Sequence, residues 1–183
     1  KISVDSSTLM NKVFEVIEAR NIFNINYNQI SILTHPKSYV HAIVKFNNGL
    51  TKILIHEPDM KIPIHNSIYI LDKKKIRSKP LDIDILNDLE FKKVDNKRFP
   101  LIKILNLLPK SSSLYETVLI TINDYFVYKF LNKKIKYNQL IDLINKFSKN
   151  RNFTKFRKIR VKNIEDIYKT RDYVSLKLST LGI

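Results

Sequence analysis

The apolar residues of this chain change their period partway along, and that change limits the possible folds more than any other feature of the sequence. Residues 30–33, 39–46 and 50–55 are rich in β-branched side chains, the pattern of short strands. Asn47-Asn48-Gly49 between the last two predicts a hairpin turn. From Phe99 onward the spacing becomes helical and predicts helices near residues 100–108, 114–131, 138–148 and 163–180. Ahead of the strands, Leu9, Val13, Val16 and Ile17 fall at i, i+4, i+7 and i+8, predicting an amphipathic helix over residues 8–22. Ser6, Ser7 and Thr8 stand where its N-cap belongs, after a strand-like start. Pro58, Pro63 and Pro80 predict an extended stretch, with a lysine-rich linker over residues 73–79. The expected fold class is α+β: a helix packed on a small β-sheet, then a connector, then a C-terminal all-helical bundle. The corresponding partition is 1–70, 71–98 and 99–183.

A hydrophobic content of 44% over 183 residues suits a globular chain with a core of ordinary size. No apolar run approaches the roughly 18 residues of a membrane span, and no signal-peptide stretch opens the chain. There is no cysteine, hence no disulfide and no thiolate nucleophile or metal ligand. The formal net charge of +16 raises the possibility of a nucleic-acid surface. The cations, however, are 26 lysines against 7 arginines, accompanied by much isoleucine, asparagine, tyrosine and phenylalanine and by only two glycines. That combination follows A/T-rich codon usage, and basic runs such as Asp72-Lys73-Lys74-Lys75 carry no nucleic-acid fold signature. A solvated basic surface, with neither a nucleic-acid nor a membrane partner, is the expectation.

The local chemistry of the first helix points to an anion. Backbone N–H groups at a helix start lack intrahelical partners and, with the helix dipole, favour a phosphate. Lys12 opposes that dipole at a cost of up to about 1 kcal/mol, which a charge-assisted contact to a phosphate outweighs. Asn11 adds an amide donor beside it. Glu15 lies one turn deeper on the same face, placed either to bind a cation or to pair with Lys12. The competing reading is a capped amphipathic helix with solvated polar residues.

The order of residues adds to this. VDSSTLMNKVFEVIEA closely resembles the V-D-S-A-T-x-M-N-K-G-x-E-x-I-E-A signature of the 1-deoxy-D-xylulose 5-phosphate reductoisomerases. Downstream and in the same order, residues 35–41 (HPKSYVH) resemble that family's H-P-Q-S-x-x-H, and residues 57–64 (EPDMKIPI) its E-P-D-M-R-x-P-I. Residues 79–82 and 98–100 resemble its linker landmarks, and residues 119–124 stand in place of L-N-A-A-N-E, keeping Asn123 and an acid at Asp124. The resemblance implies that Ser6, Asn11 and Lys12 hold the phosphate of a phosphorylated sugar. It implies that Glu15 helps bind Mg²⁺ or Mn²⁺ in a catalytic role, and that NADPH supplies a hydride from a domain N-terminal to these motifs. The implied reaction rearranges and reduces 1-deoxy-D-xylulose 5-phosphate to 2-C-methyl-D-erythritol 4-phosphate, in a homodimer of the bacterial cytoplasm or a plastid-like organelle. His41 matches a histidine near the active site, and Pro58 and Met60 match its pocket region, as ligand contacts or as structural support. His35, His56 and His65 are expected to be surface or packing residues.

The chain begins at the first motif, so the expectation is a C-terminal half that is inactive alone. Val13 replaces the family glycine, and the N-A-A-N-E segment is largely rewritten. Two alternatives are a non-catalytic phosphate-binding or structural module and a basic nucleic-acid-binding protein.

Overall fold

A computed structural model describes residues 1–69 and 74–181. The expected linker at 73–79 and the basic run at 72–75 therefore lie partly outside the described residues. Two short helices open the chain, α1 (Ile2–Thr8) and α2 (Met10–Phe23). Strands β1 (Leu33–Thr34), β2 (Val40–Lys45) and β3 (Thr51–Ile55) follow, then α3 (Lys61–Ile68), α4 (Ile83–Asn87) and β4 (Lys92–Lys93). After a 3₁₀ segment at Pro100–Leu107 come α5 (Leu114–Leu131), α6 (Tyr137–Ser148), α7 (Arg151–Thr154) and α8 (Ile164–Thr180).

The α+β class stands, but the chain is partitioned differently from the expectation. Lys1–Ile32 groups with Asp95–Ile183 in one compact unit, and Leu33–Val94 forms the other. The reason is the apolar face of α2. Met10, Val13 and Ile17 lie in one buried cluster with Leu101, Ile104, Tyr115, Leu119, Phe126 and Leu140, so α2 packs on helices, not on a sheet. Burying side chains of this size contributes about 1.5–3 kcal/mol each, and α5, with apolar residues around most of its circumference, offers the larger apolar surface. α5 is the centre of this unit, flanked by α6 and α8, and its Ser113 N-cap accepts from the Tyr115 amide.

In the second unit β2 and β3 pair antiparallel with Ile43 opposite Ile53 and Lys45 opposite Thr51. The turn is the expected one: Phe46 N donates to Leu50 O (2.8 Å) and Gly49 takes a φ of +87°. The strand expected over residues 30–33 is reduced to β1, which pairs antiparallel with β4. The stretch expected to be extended contains α3, because Pro63 falls in its first turn, where a missing N–H costs nothing.

Candidate phosphate and cation site

The strand-like start and the Ser6-Ser7-Thr8 cap are both replaced by helix. Val4 N and Asp5 N donate to Lys1 O (2.9 and 3.0 Å), so Ser6 lies within α1. The break comes at Leu9, whose φ of 59° and ψ of 18° are left-handed. Leu9 thus leaves the expected apolar stripe and Met10 takes its place, fully buried. A left-handed leucine costs about 1–2 kcal/mol, so its surroundings must hold it there. Thr8, 3% exposed, is part of that surround: its hydroxyl faces Val4 O and Asp5 O at 3.2 Å and accepts from Met10 N at 3.4 Å. α2 then starts on Leu9 O, which accepts from Lys12 N and Val13 N.

The polar residues of this junction fall into two sets. Ser6 is exposed on α1. On the first turns of α2, Lys12 Nζ donates to both carboxylate oxygens of Glu15 at 2.9 and 2.7 Å, with the two side chains 41% and 53% exposed. Asn11 beside them is half-buried, and its Oδ1 is buried without a hydrogen-bond partner among the described residues. A buried amide oxygen without a partner costs about 1–3 kcal/mol, and as an acceptor it calls for a donor.

Sequence reasoning did not anticipate the groups that hold the junction. Asn123 of α5, fully buried, donates from Nδ2 to Oδ1 of Asp5, itself 6% exposed, at 2.8 Å. Lys1 Nζ lies 2.7 Å from Asp124 and 3.7 Å from Asp5. Burial disfavours the charged Lys1, but the hydrogen bond and charge of Asp124, with those of Asp5, outweigh it and raise its pKa. At the other end of α2, buried Glu116 accepts from Tyr27 Oη (3.0 Å) and Asn21 Nδ2 (3.3 Å), and Arg20 donates to Lys110 O and Ser112 Oγ. Burial first, then the Glu116 charge, push the Tyr27 phenol well above its ordinary range. Nothing local marks these pairs; Asn123 and Asp124 stand out only through the rewritten helical motif.

His41, Pro58 and Met60 belong to the other compact unit. His41 stacks on His56 with centroids 3.6 Å apart and planes 6° from parallel. His35 is a packing residue: Nε2 accepts from Tyr39 N (2.9 Å) and the ring lies against Phe91. A cavity of about 260 Å³ in this unit is lined by residues including Tyr39, His56, Glu57 and Lys79, and by none of Ser6, Asn11, Lys12 or Glu15. Among the described residues no three His, Asp or Glu side chains are grouped to hold a metal, and no helix is long and apolar enough to cross a membrane.

A family model described as the DXP reductoisomerase C-terminal domain matches residues 55–174. A second, the 1-deoxy-D-xylulose 5-phosphate reductoisomerase C-terminal domain, matches residues 1–23. The 1-deoxy-D-xylulose 5-phosphate reductoisomerase of Pelagibacter ubique is 54% identical over 183 residues, all of this chain and 47% of the relative. That of Francisella tularensis subsp. holarctica is 38% identical over 187 residues, again all of this chain and 46% of the relative. Among solved structures, the Zymomonas mobilis enzyme in complex with NADPH superposes with a TM-score of 0.84 at 28% identity, over 99% of this chain and 47% of that one. A DOX-P reductoisomerase with fosmidomycin and magnesium gives 0.82 at 28% identity, over 98% of this chain and 46% of that one. The chain thus spans about half the length of the relatives it matches.

Proposed function

The chain belongs to the 1-deoxy-D-xylulose 5-phosphate reductoisomerase family, and from that premise we propose that its α1–α2 junction anchors the substrate phosphate and supplies one ligand of the catalytic cation. The observation that carries this reading is the Lys12–Glu15 pair beside the unpartnered amide of Asn11. A half-exposed ion pair is worth about 0–1 kcal/mol, little enough for ligands to displace. A phosphate dianion takes Lys12, and a divalent cation takes Glu15. Each side chain holds the other in the absence of both ligands. Turning the Asn11 amide presents Nδ2 to a phosphate oxygen, and the exposed Ser6 hydroxyl supplies a further donor.

The donor chemistry fits the implied metal in part. Glu15 is a hard oxygen ligand of the kind Mg²⁺ and Mn²⁺ prefer, but each ion takes several such ligands. The remaining ligands are expected in the portion of the relatives that this chain does not span, as are the residues for NADPH. When bound, the cation polarises the substrate oxygens as a Lewis acid and NADPH supplies a hydride. What these residues contribute is position: Lys12, Asn11 and Ser6 fix the phosphate end, remote from the reacting carbons, so that the other end meets the cation held by Glu15.

In the intact protein this activity converts 1-deoxy-D-xylulose 5-phosphate to 2-C-methyl-D-erythritol 4-phosphate. The proposed setting is a homodimer in the bacterial cytoplasm, in keeping with the bacterial sources of the relatives. Joining this chain to the N-terminal portion of the Pelagibacter ubique relative and following substrate-dependent NADPH oxidation tests the proposal. Turnover that requires Mg²⁺ or Mn²⁺ is expected. A folded chimera that binds phosphate but turns nothing over would favour the non-catalytic module.

A further inference from the structure

Ser6 is exposed, yet the residues on either side of it are tied to the helical unit by side chains from two different helices. Asn123 of α5 reaches Asp5 at 2.8 Å in a buried contact that spans 118 residues of sequence. Tyr137, at the start of α6, donates to both the carbonyl and the hydroxyl oxygen of Ser7 at 3.1 Å. Ser7 Oγ in turn donates to Val4 O at 2.8 Å, so it is directed back along α1 and away from any ligand role. Two residues after Ser7 comes Leu9 with its left-handed backbone.

We propose that Asn123 and Tyr137 are positioning residues for the phosphate site: they clamp Asp5 and Ser7, fix Ser6 between them, and hold the strained Leu9 junction that sets α1 against Asn11 and Lys12. This rests on the reading of Ser6, Asn11 and Lys12 as the phosphate anchor. The physical case has three parts. α1 has only seven residues, too few to be stable alone, so its orientation comes from tertiary contacts. A left-handed non-glycine residue persists only where its neighbours over-determine it, and the Asn123–Asp5 bond lies four residues before Leu9. Buried hydrogen bonds to a carboxylate are among the stronger and more directional ones, so the bond sets an angle as well as holding α1 in place. The same bond makes the helical unit, which carries none of the proposed ligands after Glu15, a determinant of substrate affinity.

The test titrates inorganic phosphate into the isotope-labelled chain and follows the amide signals of Ser6, Asn11 and Lys12. Asn123→Asp sets two buried carboxylates against each other and should weaken phosphate binding about tenfold, the size expected for a lost charged hydrogen bond. The exchanged pair Asp5→Asn with Asn123→Asp restores an amide-to-carboxylate bond and should recover most of that loss, a rescue that general destabilisation would not give. Tyr137→Phe removes one half-exposed hydroxyl, threatens folding little, and should weaken binding about threefold while hydrogen exchange at residues 5–8 accelerates. If Asn123→Asp does not fold, Tyr137→Phe and the exchanged pair decide. A folded Asn123→Asp or Tyr137→Phe chain that binds phosphate like the unsubstituted one overturns the proposal and leaves the phosphate site standing. An exchanged pair that folds without recovering affinity overturns it too. No response to phosphate in the unsubstituted chain would instead remove the anchor reading, and the positioning role with it.

Discussion

At the scale of single residues, the proposed site rests on a half-exposed ion pair, Lys12–Glu15, which the proposed ligands displace. Lys12 and Glu15 are 41% and 53% exposed, so removing either partner should change stability by no more than about 1 kcal/mol. Their effects on the reaction should differ. In the chimeric full-length enzyme, Glu15→Gln keeps the size and removes the charge that holds the cation, and turnover should fall about a hundredfold with an unchanged melting temperature. Lys12→Ala removes a remote phosphate contact and should raise KM about tenfold, with a smaller loss in kcat. Steady-state kinetics at saturating metal separates the two. Near-normal turnover for Glu15→Gln would reduce Glu15 to an ordinary surface residue. The proposed roles of Ser6, Asn11, Lys12 and Glu15 came from their types and order. The orphaned oxygen of Asn11 was not legible there, because it depends on what covers the side chain.

At the scale of elements, α2 was predicted from its apolar spacing and is present, but its start was misplaced. Hydroxyl side chains at positions 6–8 are as suitable for a short helix that bonds back to its own carbonyls as for an N-cap, and Ser7 and Thr8 do the former. Val13 belongs to this element's core face, fully buried where the family pattern carries glycine. Val13→Gly loses its burial and weakens the helix, so it should destabilise the chain by about 2–4 kcal/mol, read as a lower urea midpoint. A change below about 0.5 kcal/mol would mean that the surrounding side chains close the gap. The hairpin gives a cleaner case. A Cβ at Gly49 meets nothing within 4 Å, so Gly49→Ala should cost about 1 kcal/mol through its φ of +87° alone. Circular dichroism melting of the variant measures it, and an unchanged midpoint would contradict the backbone argument.

At the scale of the whole molecule, two phenols with raised pKa, half-buried Tyr27 and buried Tyr115, tie stability to alkaline pH. Burial, the largest cause in both, raises the pKa of Tyr27 and of Tyr115, whose hydroxyl donates to Ser148 O. The unfolded chain gives up these protons near pH 10 while the folded chain keeps them, so their contribution is complete below about pH 10 and is lost as pH rises beyond it. Lys1, also raised, acts with the same sign, though at 47% exposure its share is small. Denaturant midpoints should therefore decline above about pH 10, less steeply in Tyr27→Phe. Stability that held level up to about pH 11.5 would refute this. The sequence alone determined the α+β class, the hairpin at Asn47-Asn48-Gly49 and the three long helices of the second half, since these depend on local period and turn chemistry. Only the tertiary structure decided that α2 packs on α5 and not on a sheet, that Leu9 breaks the first helix, and that Asn123 holds Asp5. Each of those depends on which apolar face or polar group is nearest in space, and a contact across 118 residues leaves no periodic trace in the chain.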